Sequence, residues 1–295
     1  MFVDLLLVGA NGQIGCHLYE RAKAAGLSVI AYSHEQLDIC HEAVLAVKIR
    51  QYQPKCIINA AAYTQVDNAE IEQETAYAVN AQGVEYLAKC AAEIGAVLIH
   101  ISTDYVFDGM KTASYLESDE PRPLSVYGAS KLTGELAIAH CCQHHLILRT
   151  GWVFGEHGNN FVKTMLEVAA QHNDLTVVAD QFGSPTYAGD VAHALLTMMQ
   201  QALASDFHGW GIYHYSGAPY ISWYGFASRI FTQAVEQQLF PQRPHLHPVT
   251  SAQYPSVAKR PANSRLDCAK IQSVFNITPS DWQAALSNLL PYMPV

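Results

Sequence analysis

Tyr127 and Lys131, in the run Tyr127-Gly128-Ala129-Ser130-Lys131, place a phenol and an amine four residues apart. On a helix, positions i and i+4 fall on one face, one turn apart. An ammonium beside a phenol favours the phenolate and draws its pKa below the free value of about 10. A tyrosine tuned that way can pass a proton near neutral pH. The same spacing also arises on solvated helix faces, so its surroundings decide its meaning. Ser102-Thr103-Asp104 precedes it, and a glycine-rich turn opens the chain.

The elements that must position these groups can be read in order. Phe2 to Val8 is a short apolar run broken by Asp4, read as a buried strand. It leads into Gly9-Ala10-Asn11-Gly12-Gln13-Ile14-Gly15 and a helical pattern that stops at Gly26. Strand, glycine turn and helix form the context of a dinucleotide fingerprint. Glycines let backbone approach a pyrophosphate, and the helix N-terminus offers free N–H groups at a positive dipole end. The spacing here is G-x-x-G-x-x-G, and glycine-rich turns also occur without ligands. Leu27 to Tyr32 reads as the second strand. Ser33-His34 follows with no carboxylate at the first position, which leaves room for the 2′-phosphate of NADP. Asp38 and Ile39 either edge the adenine or, for Asp38, cap a helix.

Cys56 to Ala62 runs from a strand into small residues, where a ligand or close packing fits equally well. Thr75 to Glu93 is helical and carries Asn80. Val97 to Ile101 is a strand, with Ser102-Thr103-Asp104-Tyr105 beyond it. In an open parallel sheet, ligands bind past the carboxyl ends of strands. Thr103 is placed either to donate to a substrate carbonyl or to cap a helix. Pro121 and Pro123 mark a loop before the Tyr127–Lys131 helix, and His145 to Arg149 is a further strand. Beyond Thr150 the chain becomes rich in loops and aromatic residues. The fold class expected is α/β, a Rossmann-like doubly wound parallel sheet with a smaller C-terminal substrate-binding lobe. Residues 1–150, completed by about 187–208, would bind the dinucleotide; 151–186 and 209–295 would form the lobe.

Composition narrows the function classes. The 295 residues are half hydrophobic and 15% charged, a globular balance. A net charge of -9 without a basic block argues against nucleic acid. No apolar run suits a membrane span, and the N-terminus lacks the basic flank of a signal peptide. Cys16, Cys40, Cys56, Cys90, Cys141, Cys142 and Cys268 show no C-x-x-C spacing, which points to reduced thiols in the cytoplasm. The 14 histidines form no H-E-x-x-H pattern, so no metal is expected.

These motifs together resemble the extended short-chain dehydrogenase/reductase superfamily. The resemblance also covers Asn59-Ala60-Ala61-Ala62-Tyr63-Thr64 and Arg149-Thr150-Gly151-Trp152-Val153, and Gln181-Phe182-Gly183-Ser184-Pro185-Thr186 and Arg260-Pro261 with Asn263-Ser264-Arg265-Leu266 narrow it to the dTDP-4-dehydrorhamnose reductase family. The resemblance implies NADPH- or NADH-dependent reduction of a C4 ketone on a dTDP-linked sugar, for cell-surface polysaccharide. It implies a cofactor site of Gly9, Gly12, Gln13, Ile14, Gly15, Asp38, Ile39, Ala61, Ala62 and Tyr63, with Tyr127 and Lys131 at the nicotinamide end. Thr103, Asp104 and Trp152 would meet the sugar, and Thr103, Tyr127 and Lys131 would carry the chemistry. Related dehydratases follow their Ser/Thr with an Asp-Glu pair; Thr103-Asp104-Tyr105 lacks it, which favours plain reduction. A reductase of another nucleotide 4-keto-6-deoxy sugar, or a cofactor-binding regulatory subunit like that of methionine adenosyltransferase, would share most of these motifs. Some family members form a magnesium-dependent dimer through three carboxylates. The matching positions are His17, Gly189 and Tyr292, with Asp190 one residue away, so no structural Mg²⁺ is expected, only a monomer or a homodimer made another way.

Overall fold

The computed structural model describes residues 3–293, so Phe2, expected to open the first strand, lies outside them. Six parallel strands form the central sheet: β1 (Leu5–Val8), β2 (Val29–Tyr32), β3 (Cys56–Asn59), β4 (Val97–Thr103), β5 (His145–Thr150) and β6 (Gly211–His214). Their spatial order is β6-β5-β4-β3-β1-β2. The chain leaves β1 in one direction to reach β2 and in the other to reach β3, so the topological switch lies at the end of β1. β1, Cys56–Ile58 of β3 and Val97–Ile99 of β4 are apolar and buried on both faces, as a sheet covered by helices on each side requires.

One face packs α1 (Gln13–Ala24), Ala188–Ala202 and Ala269–Phe275 around Leu5, Leu7, Ile58, Ile99 and Leu148. The other packs α2 (Glu42–Tyr52), α3 (Gly83–Ile94) and α4 (Val126–Cys141) around Leu6, Val8, Ile57, Leu98 and Ile147. In α3, Val84, Leu87, Ala88 and Ala91 recur at i, i+3, i+4 and i+7 and are all fully buried. The expected helix over 75–93 is interrupted: Ala78–Gln82 forms a wide π turn between Gln73–Tyr77 and α3. β6 corrects the sequence reading, which assigned residues 209–214 to the lobe. Its four residues pair with Leu146–Arg149, and Tyr213 is buried against the main core. A short edge strand of mixed polarity carries too little periodicity to reveal its partner.

The second body gathers Phe154, Val162, Leu166, Phe226, Ile230 and Trp282 into a separate aromatic core. Three two-stranded pairings tie it together, and the backbone of Phe182 bonds to Ala262 and Ser264. The two segments that carried the narrower family resemblance are therefore neighbours. Among the described residues no helix is long and apolar enough to cross a membrane, and all seven cysteines are free.

Candidate active site

The glycine turn sits at the topological switch. Gly9 has φ +77° and lies so close to the end of β3 that a Cβ would come within 2.5 Å of the Ala60 carbonyl carbon and the Ala61 nitrogen. A Cβ on Gly15 would lie 2.1 Å from the Gly9 carbonyl oxygen. Gly12 differs: its Cβ would meet only the Gly9 oxygen, at 3.3 Å. The protein itself hardly requires glycine there, whereas a phosphate approaching the backbone would. Gly12 also ends α1 without a side-chain cap, so the first-turn N–H groups, on Gln13, Ile14 and Gly15, are left for an anion. These residues fit a dinucleotide.

Tyr63 follows the end of β3. Asn80, fully buried in the π turn, accepts from the Tyr63 N–H at 2.9 Å and donates to its carbonyl at 3.0 Å. The sequence placed Asn80 on a helix without a role; the widened turn is what aims it across at Tyr63. Ile39 departs from expectation. It is buried beneath Gly83 in the core, which leaves Asp38 as the accessible member of that pair. Asp38 caps no helix but holds the Cys40 N–H in a local turn. Ser33 departs too. Its hydroxyl donates to Glu35 at 2.6 Å, so a carboxylate folds back onto the end of β2. That bond holds Glu35 below the usual carboxylate range and therefore ionised. Glu35→Gln is expected to raise kcat/KM for NADPH relative to NADH by roughly 2- to 5-fold, the scale of an exposed charge contact. Steady-state rates with both cofactors check it, and an unchanged ratio would remove Glu35 from the ribose site.

Thr103 closes β4, and Tyr127 and Lys131 occupy the first two turns of α4, capped by the Ser125 hydroxyl on the Gly128 N–H. Thr103 meets both sequence readings at once. Its hydroxyl caps the Asp104–Val106 turn by accepting from the Tyr105 N–H, and it donates to Asp104 at 3.0 Å. Asp104 is buried, which pushes its carboxyl up to about 6. Tyr105 lies edge-on to Tyr127 with ring centroids 6.0 Å apart.

The expected effect of Lys131 on Tyr127 is not found. Burial pushes the Tyr127 phenol up to about 12, hydrogen bonding with Thr103 lowers it and Asp104 raises it. Lys131 points away, donating to the Ile101 carbonyl at 2.7 Å with its nitrogen 3.1 Å from His100 Nε2. An i, i+4 spacing sets the face but not the rotamer, and buried acceptors on β4 captured the amine. Tyr127 is thus a neutral phenol, already charged with the proton a reduction needs.

Trp152 leaves β5 with φ +51°, a conformation rare for a large side chain, and stacks on Trp223 at 3.4 Å. Sequence reasoning missed Trp223, which lies 71 residues further along the chain. It gave no role to Arg260, whose guanidinium binds Asp67 at 2.5 Å and contacts Tyr105. The second body is thereby fastened over the strand ends, with Gly183 and Ser264 close to Trp152 and Asp104.

Comparison with known proteins identifies the family. The family model described as "RmlD substrate binding domain" matches residues 3–293. The chain belongs to that family. It is 47% identical over 289 residues to the dTDP-4-dehydrorhamnose reductase of Aggregatibacter actinomycetemcomitans, covering 98% of each chain. Among solved structures it resembles the Clostridium acetobutylicum dTDP-4-dehydrorhamnose reductase (TM-score 0.90, 34% identity, 97% of each chain). It also resembles the Bacillus anthracis enzyme in complex with NADP (TM-score 0.88, 33% identity, 97% of this chain and 98% of that one). His17, Gly189 and Tyr292 are the positions that the family resemblance matched to metal-bridging carboxylates. Here His17 faces Glu156 at 2.8 Å, Gly189 packs under the Tyr187 ring, and Tyr292 is buried. His17, Glu20 and His157 do bring their ligand atoms within 4.8 Å of one another, a grouping that sequence spacing did not reveal.

Proposed function

We propose that this chain is an oxidoreductase that reduces the C4 ketone of dTDP-4-dehydro-6-deoxy-L-mannose to dTDP-L-rhamnose, using NADPH or NADH. The observation that carries the reading is a neutral Tyr127 phenol beside Thr103, past the end of β4 and next to an anion-ready glycine turn. The reduced nicotinamide supplies the hydride. Thr103 and Tyr127 aim hydroxyl donors at the ketone oxygen, stabilising charge where it develops. Tyr127 then gives its proton to that oxygen, and the alcohol forms. Thr103 must turn its hydroxyl from Asp104 to reach the ketone. Asp104 keeps that hydroxyl placed until a substrate arrives, and Trp152 on Trp223 offers a flat apolar wall to the sugar. Gly9, Gly12, Gln13, Ile14, Gly15, Ala61, Ala62 and Tyr63 hold the cofactor, with Asp38 at the adenine end.

The test is oxidation of NADPH on addition of the dTDP-linked 4-keto sugar. Oxidation only with a differently linked or configured sugar would mark a sister reductase. Binding of cofactor without turnover of any such sugar would mark a regulatory subunit.

We further propose that no magnesium-bridged dimer forms through His17, Gly189 and Tyr292, since they present no carboxylate for Mg²⁺. The mass measured by light scattering is expected to be the same with and without EDTA. A dimer that separates on chelation and returns with Mg²⁺ would refute this.

A further inference from the structure

A buried polar row lies behind the reacting groups. Asn59 closes β3, His100 lies within β4 and Lys131 is one turn into α4; each exposes 1% of its surface or less. Asn59 Nδ2 is 3.0 Å from His100 Nδ1, and His100 Nε2 is 3.1 Å from Lys131 Nζ.

One backbone group fixes the direction of the whole row. The Ala61 N–H donates to Asn59 Oδ1 at 3.0 Å. A backbone N–H is only a donor, so the Asn59 oxygen must face Ala61 and its NH₂ must face His100. His100 Nδ1 therefore accepts, and the neutral imidazole carries its one proton on Nε2. That proton points at Lys131. An ammonium has three donors and no acceptor, so a charged Lys131 would set N–H against N–H. A neutral amine offers a lone pair to His100 while donating to Ile101. The row is satisfied with one proton fewer than an ammonium brings.

We propose that Asn59 and His100 are positioning residues that favour the neutral amine of Lys131 in the free enzyme at mildly alkaline pH, so that cofactor binding there turns Lys131 out of the row and takes up a proton. The inference rests on reading the crevice as a nicotinamide site, where ribose hydroxyls give an ammonium the acceptors that His100 denies it.

The surroundings act in the same sense. Burial draws Lys131 down to about 8 and His100 well below its ordinary value. Glu135, one turn further along α4, favours the ammonium, but its oxygens are already held by Arg149 on β5 and Ser102 on β4. Tyr127, on the same face of α4, is an uncharged phenol, and the charge of Asp104 bears on that phenol. The sign follows. A group whose pKa rises on binding takes up protons between its two values, and affinity falls as pH climbs through that window. Below the free value of about 8 the free enzyme already holds the proton, so little is taken up.

Titration calorimetry with NADPH, in two buffers of different ionisation enthalpy, counts the protons. Above about pH 8 the 2′-phosphate is fully ionised and contributes none. The expected uptake is about half a proton per cofactor near pH 8 and about nine-tenths near pH 9, with the dissociation constant rising up to about tenfold per pH unit. Asn59→Asp keeps the bond to Ala61 but turns the donor facing His100 into an acceptor. The imidazole proton then moves to Nδ1, Nε2 accepts from the Lys131 ammonium, and uptake is lost. Lys131→Met identifies the titrating group by losing uptake as well, which keeps the test alive should the Asn59 variant fail to fold. Saturable binding with no proton uptake near pH 9 would overturn the inference and leave the nicotinamide reading standing. So would undiminished uptake in either variant. Absence of any NADPH binding would overturn both.

Discussion

Replacing Tyr127 with phenylalanine is expected to lower turnover by about 10²-fold or more, the scale on which a general acid contributes. The substitution keeps the ring, and with it the edge-on contact to Tyr105, and removes only the O–H. NADPH affinity, measured by fluorescence titration, should change little, because the glycine turn and Tyr63 are untouched. The loss should appear in kcat rather than KM, since the proton is transferred only as charge develops on the ketone oxygen. Because burial holds the phenol up at about 12, wild-type Tyr127 remains protonated throughout the neutral range. Its ionisation therefore sets no basic limb there. Turnover of the variant within a few-fold of wild type would remove Tyr127 from the reaction.

Removing Glu135 is expected to cost the most stability. Arg149 is 1% exposed, donates two hydrogen bonds to the Glu135 carboxylate at 2.9 and 2.6 Å, and lies over the Phe107 ring. Glu135→Ala would leave that guanidinium charged in a dry interior, a loss of about 3–5 kcal/mol. At this chain length the thermal midpoint should fall by on the order of 10 °C. Replacing both partners with apolar residues, as in Glu135→Leu with Arg149→Met, should recover much of it, since no buried charge is then left alone. Calorimetric melting of the single and double variants checks this. A midpoint within a degree or two of wild type for Glu135→Ala would show that water reaches Arg149.

Much of this architecture was legible because it is contiguous in the chain. The strand, glycine turn and helix over residues 5–24 announce themselves within twenty residues, and the Tyr127–Lys131 spacing needs only one helix. What escaped is non-local. His100 is a lone histidine in an apolar strand until β3 places Asn59 beside it and α4 brings Lys131 to its other nitrogen. The fold-back of Glu35 onto Ser33 is a side-chain choice that an exposed loop does not advertise. β6 is four residues long, and only its neighbour β5 makes it a strand of the main sheet. The stack of Trp152 on Trp223 joins a loop to the start of a helix, in stretches whose composition marks them as aromatic without saying which ring meets which.

The π turn at Ala78–Gln82 bears on how this segment tolerates change over time. Such a turn is a regular helix holding one residue in surplus, and it persists here because Asn80 bonds both backbone groups of Tyr63 and the Ser130 hydroxyl. Between residues 73 and 94 the count of residues is therefore under tighter selection than many of their identities. Losing a single codon would let the helix close into its ordinary winding and rotate Asn80 off its partners. Exchanging an exposed side chain nearby would leave the clamp intact. Insertions and deletions should thus be rarer than substitutions across this stretch, although most of its outer face is open to solvent.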